Sequence, residues 1–101
     1  MTEPTYRDLD QVIHGRVRLA LMAFLSTARE SDFLELCDVL EVTRGNLSVQ
    51  LRTLEEAGYV AVEKGYRGRR PHTAVAITPA GDAALHRYRQ ALLQLLGGGG
   101  A

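Results

Sequence analysis

Apolar residues recur at helical spacing through the first third of the chain. Leu9, Val12, Ile13, Val17, Leu19, Ala20, Leu21, Met22, Phe24 and Leu25 share a wide arc, which predicts a first helix from about residue 9 to about 28, weakened slightly by Gly15. Ser31 or Asp32 offers an N-cap for a short second helix in which Phe33, Leu34, Cys37 and Leu40 recur, ending near Glu41. Thr43 caps a third helix with Leu47, Leu51 and Leu54 on one stripe, and Gly58 after Ala57 is its left-handed stop. The order is helix, tight turn, helix.

After Gly58 the period changes from helical to alternating. Val60 and Val62 share one face of a strand, and Val75 and Ile77 share one face of another. Between them lies GYRGRRPHT, which predicts a β-hairpin with a long flexible tip. Thr78 caps a last helix with Pro79 at its first position and Ala83, Ala84, Leu85, Tyr88, Leu92, Leu93, Leu95 and Leu96 as its apolar face. The expected class is α+β, mostly helical: three helices, a hairpin and a C-terminal helix. One domain is expected over residues 1–96, with the glycine-rich tail 97–101 disordered.

Composition narrows the function classes. A chain of 101 residues forms one small domain and leaves little room for a deep substrate cavity beside a cofactor, so an enzyme is disfavoured. No Ser/His/Asp set, phosphate loop or dinucleotide fingerprint is present, and no cofactor is expected. The longest apolar runs fall far short of a membrane span. The start, MTEPTYRDLD, is polar and acidic where a secretory signal is basic and then apolar, so the chain is expected in the cytoplasm. The single cysteine, Cys37, excludes an internal disulfide and fits a reducing compartment.

The formal net charge is zero, but the charge is segregated. Residues 1–41 hold four cations against eight anions, giving −4, and residues 42–101 hold eight against four, giving +4. Residues 60–73 alone reach +3, from Lys64, Arg67, Arg69 and Arg70 against Glu63. A polyanion responds to that local potential rather than to the sum.

On a helical wheel at about 100° per residue, Leu51 and Leu54 of the third helix fall within about 40° of Leu47. Gly45, Ser48, Val49, Arg52 and Thr53 fall toward the opposite side, Asn46 on one flank, and Gln50 at the edge of the buried stripe. A face chosen only for helicity would carry Glu, Lys and Ala; Gly, Asn, Ser, Val and Thr are poorer helix formers. Small residues let a helix sit deep in the major groove. Asn46, Ser48 and Arg52 can bond base edges or phosphates, and Val49 or the Thr53 methyl can touch a thymine methyl. The alternative is a face that is merely solvated.

Taken together, NLSVQLRTLEEAGYV, KGYRGRRPHT and ITPAGDAAL resemble winged-helix transcriptional regulators of the MarR and ArsR type, in particular the small stand-alone ones. The similarity covers about residues 9–96, and its most specific parts are L-S-x-Q-L-x-x-L-E-x-x-G-Y-V and G-R-x-P-x-T. It implies a winged helix-turn-helix that binds double-stranded DNA as a homodimer. The recognition helix would be Thr43–Ala57 in the major groove, with Arg44, Asn46, Ser48, Val49, Gln50, Arg52 and Thr53 as its contacts. In the family pattern Ser48, Val49 and Gln50 face DNA, so for Gln50 the resemblance and the wheel disagree. The wing would be Gly65–Thr73, lying along the backbone or in the minor groove, with Lys64, Tyr66, Arg67, Arg69, Arg70 and His72 as contacts.

Mutually repelling arginines on a loop cost stability unless an anion is present, although a lone charge cluster is often only a solubility feature. A winged helix used as a protein-docking module would need apolar anchors on these surfaces, where only Val49 and Tyr66 qualify. Surplus apolar surface on the first and last helices points to a dimer interface of Leu9, Val12, Ile13, Tyr88, Leu92, Leu93, Leu95 and Leu96. Against it stands a monomer whose last helix folds over its own core. Pairing those helices across a two-fold axis would set two recognition helices about one DNA turn apart, on a pseudo-palindromic operator. Arg87 and Arg89 are phosphate contacts or rim charges. The context LELCDVL resembles a thiolate-bearing helix of metal-sensing relatives, but the second cysteine is missing and His14, His72 and His86 are scattered, so no metal is expected. Whether a small-molecule effector exists cannot be read from the residues.

Overall fold

The computed structural model describes residues 3–97. A short 3-10 turn at Tyr6–Asp8 precedes α1 (Arg16–Ala28), β1 (Glu30–Asp32), α2 (Phe33–Leu40), α3 (Arg44–Glu56), β2 (Val60–Arg67), β3 (Arg70–Ile77) and α4 (Pro79–Leu95). The three strands form one antiparallel sheet in the order β1-β3-β2.

Caps start the helices where a side-chain oxygen meets an orphan amide. Asp32 Oδ1 accepts from Glu35 N at 2.8 Å, Thr43 Oγ1 from Asn46 N at 3.1 Å, and Thr78 Oγ1 from Gly81 N at 3.0 Å. Pro79 opens α4, where its missing N–H costs nothing. Gly58 ends the α3 turn at φ 80°. Gly97 follows α4 at φ 75°. The rest of the tail expected to be disordered, residues 98–101, lies outside the described residues.

The first helix begins later than the apolar pattern predicts. Leu9, Val12 and Ile13 belong to an irregular segment in which Asp10 Oδ1 accepts from the amides of Val12 and Ile13, at 2.8 and 3.2 Å, while Gly15 is the extended N-cap of α1. Asp10 offers the backbone an alternative to the helical ladder, and Gly15 accepts the break. The strand β1 is also additional to the predicted elements. It pairs Glu30 with Ala76, Ser31 with Val75 and Asp32 with Ala74.

One core unites these elements. Leu21, Met22 and Leu25 of α1, Leu36 of α2, Leu47 and Leu54 of α3, and Val75 of β3 are completely buried, together with Ile13. Truncating any of these leucines to alanine is expected to cost about 2–5 kcal/mol. The core holds α3 by its leucine stripe, leaving the opposite side of the helix exposed. At the root of the hairpin, Gly81 permits a close approach: a side chain there would place Cβ 2.1 Å from the carbonyl oxygen of Tyr59, which accepts from Thr78 N at 3.1 Å.

Candidate nucleic-acid interface

Leu47, Leu51 and Leu54 face inward, and Gly45, Asn46, Ser48, Val49 and Arg52 are exposed, as the wheel predicts; Arg44 is exposed as well, whereas Thr53, expected outward, is not fully so. Thr53 and Gln50 are half-buried. Two flanks border the outward crest, and each meets a different neighbour.

On one flank, Ser48, Arg52 and Glu55 look across a groove of about 360 Å³ toward Val62, Lys64 and Thr73 of the hairpin, with Phe33 and Leu51 at its floor. The recognition-helix candidate and the root of the wing therefore share one concave surface. On the other flank, Gln50 meets α1 and links Asn46 to it. The Gln50 amide donates to Asn46 Oδ1 at 3.0 Å, and Gln50 Oε1 accepts from Arg18 Nη1 at 2.7 Å. Thr53 is turned back on its own helix, its hydroxyl donating to the Val49 carbonyl at 3.3 Å.

The hairpin differs from the predicted long loop. Its strands stay paired to Arg67 opposite Arg70, leaving only Gly68 and Arg69 as the turn. Gly68 has φ 66°, and Arg69 is not among the positive-φ residues, the pattern of a type II′ turn with glycine first. Alternation assigns Lys64, Tyr66, Pro71 and Thr73 to the face that continues the Val62 and Val75 core side, and Arg67, Arg70, Gly65 and His72 to the other. Cations thus occupy both faces and the tip. Tyr66 is 77% exposed and packs against no core residue, which leaves its ring free at the surface. His72 is half-buried, and its Nε2 is buried without a hydrogen-bond partner.

Among the described residues the one ion pair is Arg29–Asp82, so Lys64, Arg67, Arg69 and Arg70 form no ion pair, with Glu63 or with any other carboxylate. The wing keeps a net positive charge that no ion pair neutralises.

Of the residues expected at a dimer interface, Leu9, Ile13 and Tyr88 are buried in the chain's own core, at 8%, 0% and 4% exposure, and Val12 is half-buried against it. They are not spare surface. Leu92 and Leu93 are half-buried, while Leu95 and Leu96 are 39% and 72% exposed, so the open apolar surface of α4 is its final turn. Cys37 is buried and unpaired. Among the described residues no group of three or more His, Cys, Asp or Glu side chains is placed to hold a metal ion, and no helix is long and apolar enough to cross a membrane.

A helix-turn-helix whose second helix is polar outward, followed at once by a cation-tipped hairpin, has the plan of a DNA-binding winged helix. Residues 17–96 match the family model of the winged helix DNA-binding domain. The chain belongs to that family. This winged helix is 33% identical over 85 residues to an uncharacterized protein of Methanocaldococcus jannaschii, covering 84% of the chain and 92% of that protein. It is similar to the solved structure of a transcriptional regulator homologue from Pyrococcus horikoshii OT3, with a TM-score of 0.81 and 33% identity over 91% of each chain. A protein from Enterococcus faecalis V583 assigned to the MarR family of transcriptional regulators superposes with a TM-score of 0.69 and 28% identity, covering 85% of this chain and 76% of that one. The winged-helix resemblance read from the motifs is thus a family membership, and the winged-helix fold is the one observed.

The residue that the periodic pattern passes over is Arg18. It falls among the apolar positions of α1, and nothing local marks it as reaching α3.

Proposed function

We propose that this winged helix is a transcriptional regulator that binds duplex DNA sequence-specifically as a homodimer on a pseudo-palindromic operator. The reading rests on one observation: Ser48 and Arg52 of the polar outer face of α3 border the same groove as Lys64 and Thr73 at the root of the wing, whose cations form no ion pair among the described residues. In this account α3 enters the major groove, with Asn46, Ser48, Val49 and Arg52 at base edges and Arg44 at the backbone. Gln50 acts on that face through Asn46. Lys64, Arg67, Arg69 and Arg70 follow the phosphates, with one arginine in a narrow minor groove and Tyr66 and His72 at the flanking sugars. The final turn of α4, with Leu92, Leu93, Leu95 and Leu96, supplies apolar surface for the partner protomer.

Selection of bound sequences from a random duplex pool tests this reading. It predicts an inverted repeat with half-sites about 10 base pairs apart, or a multiple of that spacing. Recovery of a single unrepeated half-site would remove the dimer from the account, and recovery of no preferred sequence would remove specific readout.

A further inference from the structure

We propose that Arg18 is a positioning residue for specificity, which fixes the polarity with which Asn46 is presented to the bases. The inference rests on the DNA-binding reading above and adds the class of base edge that α3 favours.

A guanidinium has N–H donors and no acceptor. Arg18 Nη1 donates to Gln50 Oε1 at 2.7 Å, so the oxygen end of the Gln50 carboxamide is turned toward α1. Its NH2 end must then point along α3, where it donates to Asn46 Oδ1 at 3.0 Å, one helical turn away. Asn46 in turn directs its oxygen at Gln50 and leaves its own NH2 group unengaged at the exposed side of the helix. A carboxamide in isolation can be flipped at little cost; two in series ending on a cation cannot. The donor arm is itself held, because Arg18 Nε donates to the Val12 carbonyl. Gly15 makes room for it, since a Cβ at that position would lie 2.7 Å from Arg18 Nη2 and 2.9 Å from its Cζ.

The consequence is chemical. Asn46 is the third residue of α3, in the N-terminal turn that reaches bases in a helix-turn-helix. Asparagine with a free oxygen and a free NH2 pairs bidentately with adenine, whereas a group presenting mainly N–H donors favours edges that only accept: guanine N7 and O6, or thymine O4. The relay therefore biases the base opposite Asn46 toward guanine or thymine and against adenine and cytosine.

The test compares the sequences selected from a random duplex pool by the full chain and by two variants, Arg18→Met and Gln50→Glu. The wild type is expected to enrich guanine or thymine at one position of each half-site. Arg18→Met lets both amides turn and should bring the preference at that position to within about twofold of none, with affinity for a non-specific duplex unchanged because no phosphate contact is removed. Gln50→Glu replaces the donor to Asn46 by an acceptor, so Asn46 should turn its NH2 inward and its oxygen outward, shifting the preference to cytosine N4 or adenine N6. That inversion is not something a general loss of packing produces, and it remains readable if Arg18→Met is poorly folded. Both variants selecting the wild-type base at that position would overturn the relay while leaving the DNA-binding reading intact. A wild-type chain that selects no sequence would overturn both.

Discussion

Arg67 and Arg70 are direct cross-strand partners at the end of the wing. Like charges placed opposite one another destabilise an antiparallel pair, by roughly 0.2–1 kcal/mol in a hairpin. No carboxylate among the described residues offsets them. Their juxtaposition makes sense when the compensating charge is a phosphate. The β-compatible change Arg70→Thr is expected to raise folding stability at low salt by a few tenths to about 1 kcal/mol, with the gain fading at high salt. In the same variant DNA affinity should fall similarly for all sequences. Denaturant melts at two salt concentrations, with binding to matched and random duplexes, check both halves. A loss of stability at low salt would mean that the arginines support the hairpin.

Two glycines separate the demands of folding from those of binding. Gly45 has open space around its Cα, so Gly45→Ala is expected to stabilise α3 by about 0.5–1 kcal/mol while weakening duplex binding, because the added methyl stands on the crest that enters the groove. Gly81→Ala drives Cβ into the Tyr59 carbonyl at 2.1 Å and is expected to cost about 1–3 kcal/mol or more, since the obstacle is backbone. Chemical denaturation of both variants and a binding assay on the first are sufficient. Unchanged binding by Gly45→Ala would argue that α3 is merely solvated there.

Arg29 caps α1 at a positive φ of 71° and forms a paired ion contact with Asp82 in the first turn of α4, with Nη1 to Oδ1 at 2.9 Å and Nη2 to Oδ2 as the second bond. The guanidinium holds the Asp82 carboxyl below its ordinary 3.8, chiefly through that hydrogen bonding, and Arg29 is raised in return. A carboxyl that ionises more readily in the folded state contributes its full stabilisation above the ordinary value and loses it as pH falls through the lowered one. Asp82→Asn should therefore flatten the stability curve below about pH 4, where unfolded carboxyls titrate. Because both side chains are exposed, added salt should shrink the effect. Melts from pH 2 to 6 measure it. An unchanged acid limb would place the acid sensitivity elsewhere.

Elements whose causes are local were legible in the residues. Thr43, Asp32 and Thr78 cap by bonding amides three positions on, the leucines of α3 repeat with the helical period, and Gly58 ends it, so α2, α3 and α4 were predictable to within a residue or two. The outer face of α3 followed from the same geometry. What was not legible depends on distant partners. Leu9, Val12 and Ile13 satisfy a helical pattern, yet Asp10 turns that segment and the Tyr59 hydroxyl donates to its other oxygen from 49 positions away. The strand β1 is three residues long, too short for alternation to register, and it exists because β3 offers an edge. GYRGRRPHT looks like a loop by composition, while Gly68 alone closes it as a tight turn. Arg18 reads as a charged interruption of an apolar arc, and only the approach of α3 gives it Gln50 as an acceptor.

The last turn of α4 tests the dimer. Leu96→Glu places a charge on a side chain that is 72% exposed, so it should leave monomer stability nearly unchanged, within about 0.5 kcal/mol. In a dimer closed by that turn the same change should shift sedimentation toward the monomer and weaken binding to an inverted repeat more than to a single half-site. Identical sedimentation of variant and wild type would place the interface elsewhere or nowhere.

The central claim, that α3 and the wing act as one footprint on the phosphate-lined grooves, is tested most directly by the dependence of duplex affinity on salt. The account predicts a linear fall of log affinity with log salt at a slope near −0.9 per phosphate neutralised, several phosphates per protomer, reduced by about one for each arginine removed from the wing. A shallow slope that is indifferent to Arg67, Arg69 and Arg70 would contradict it.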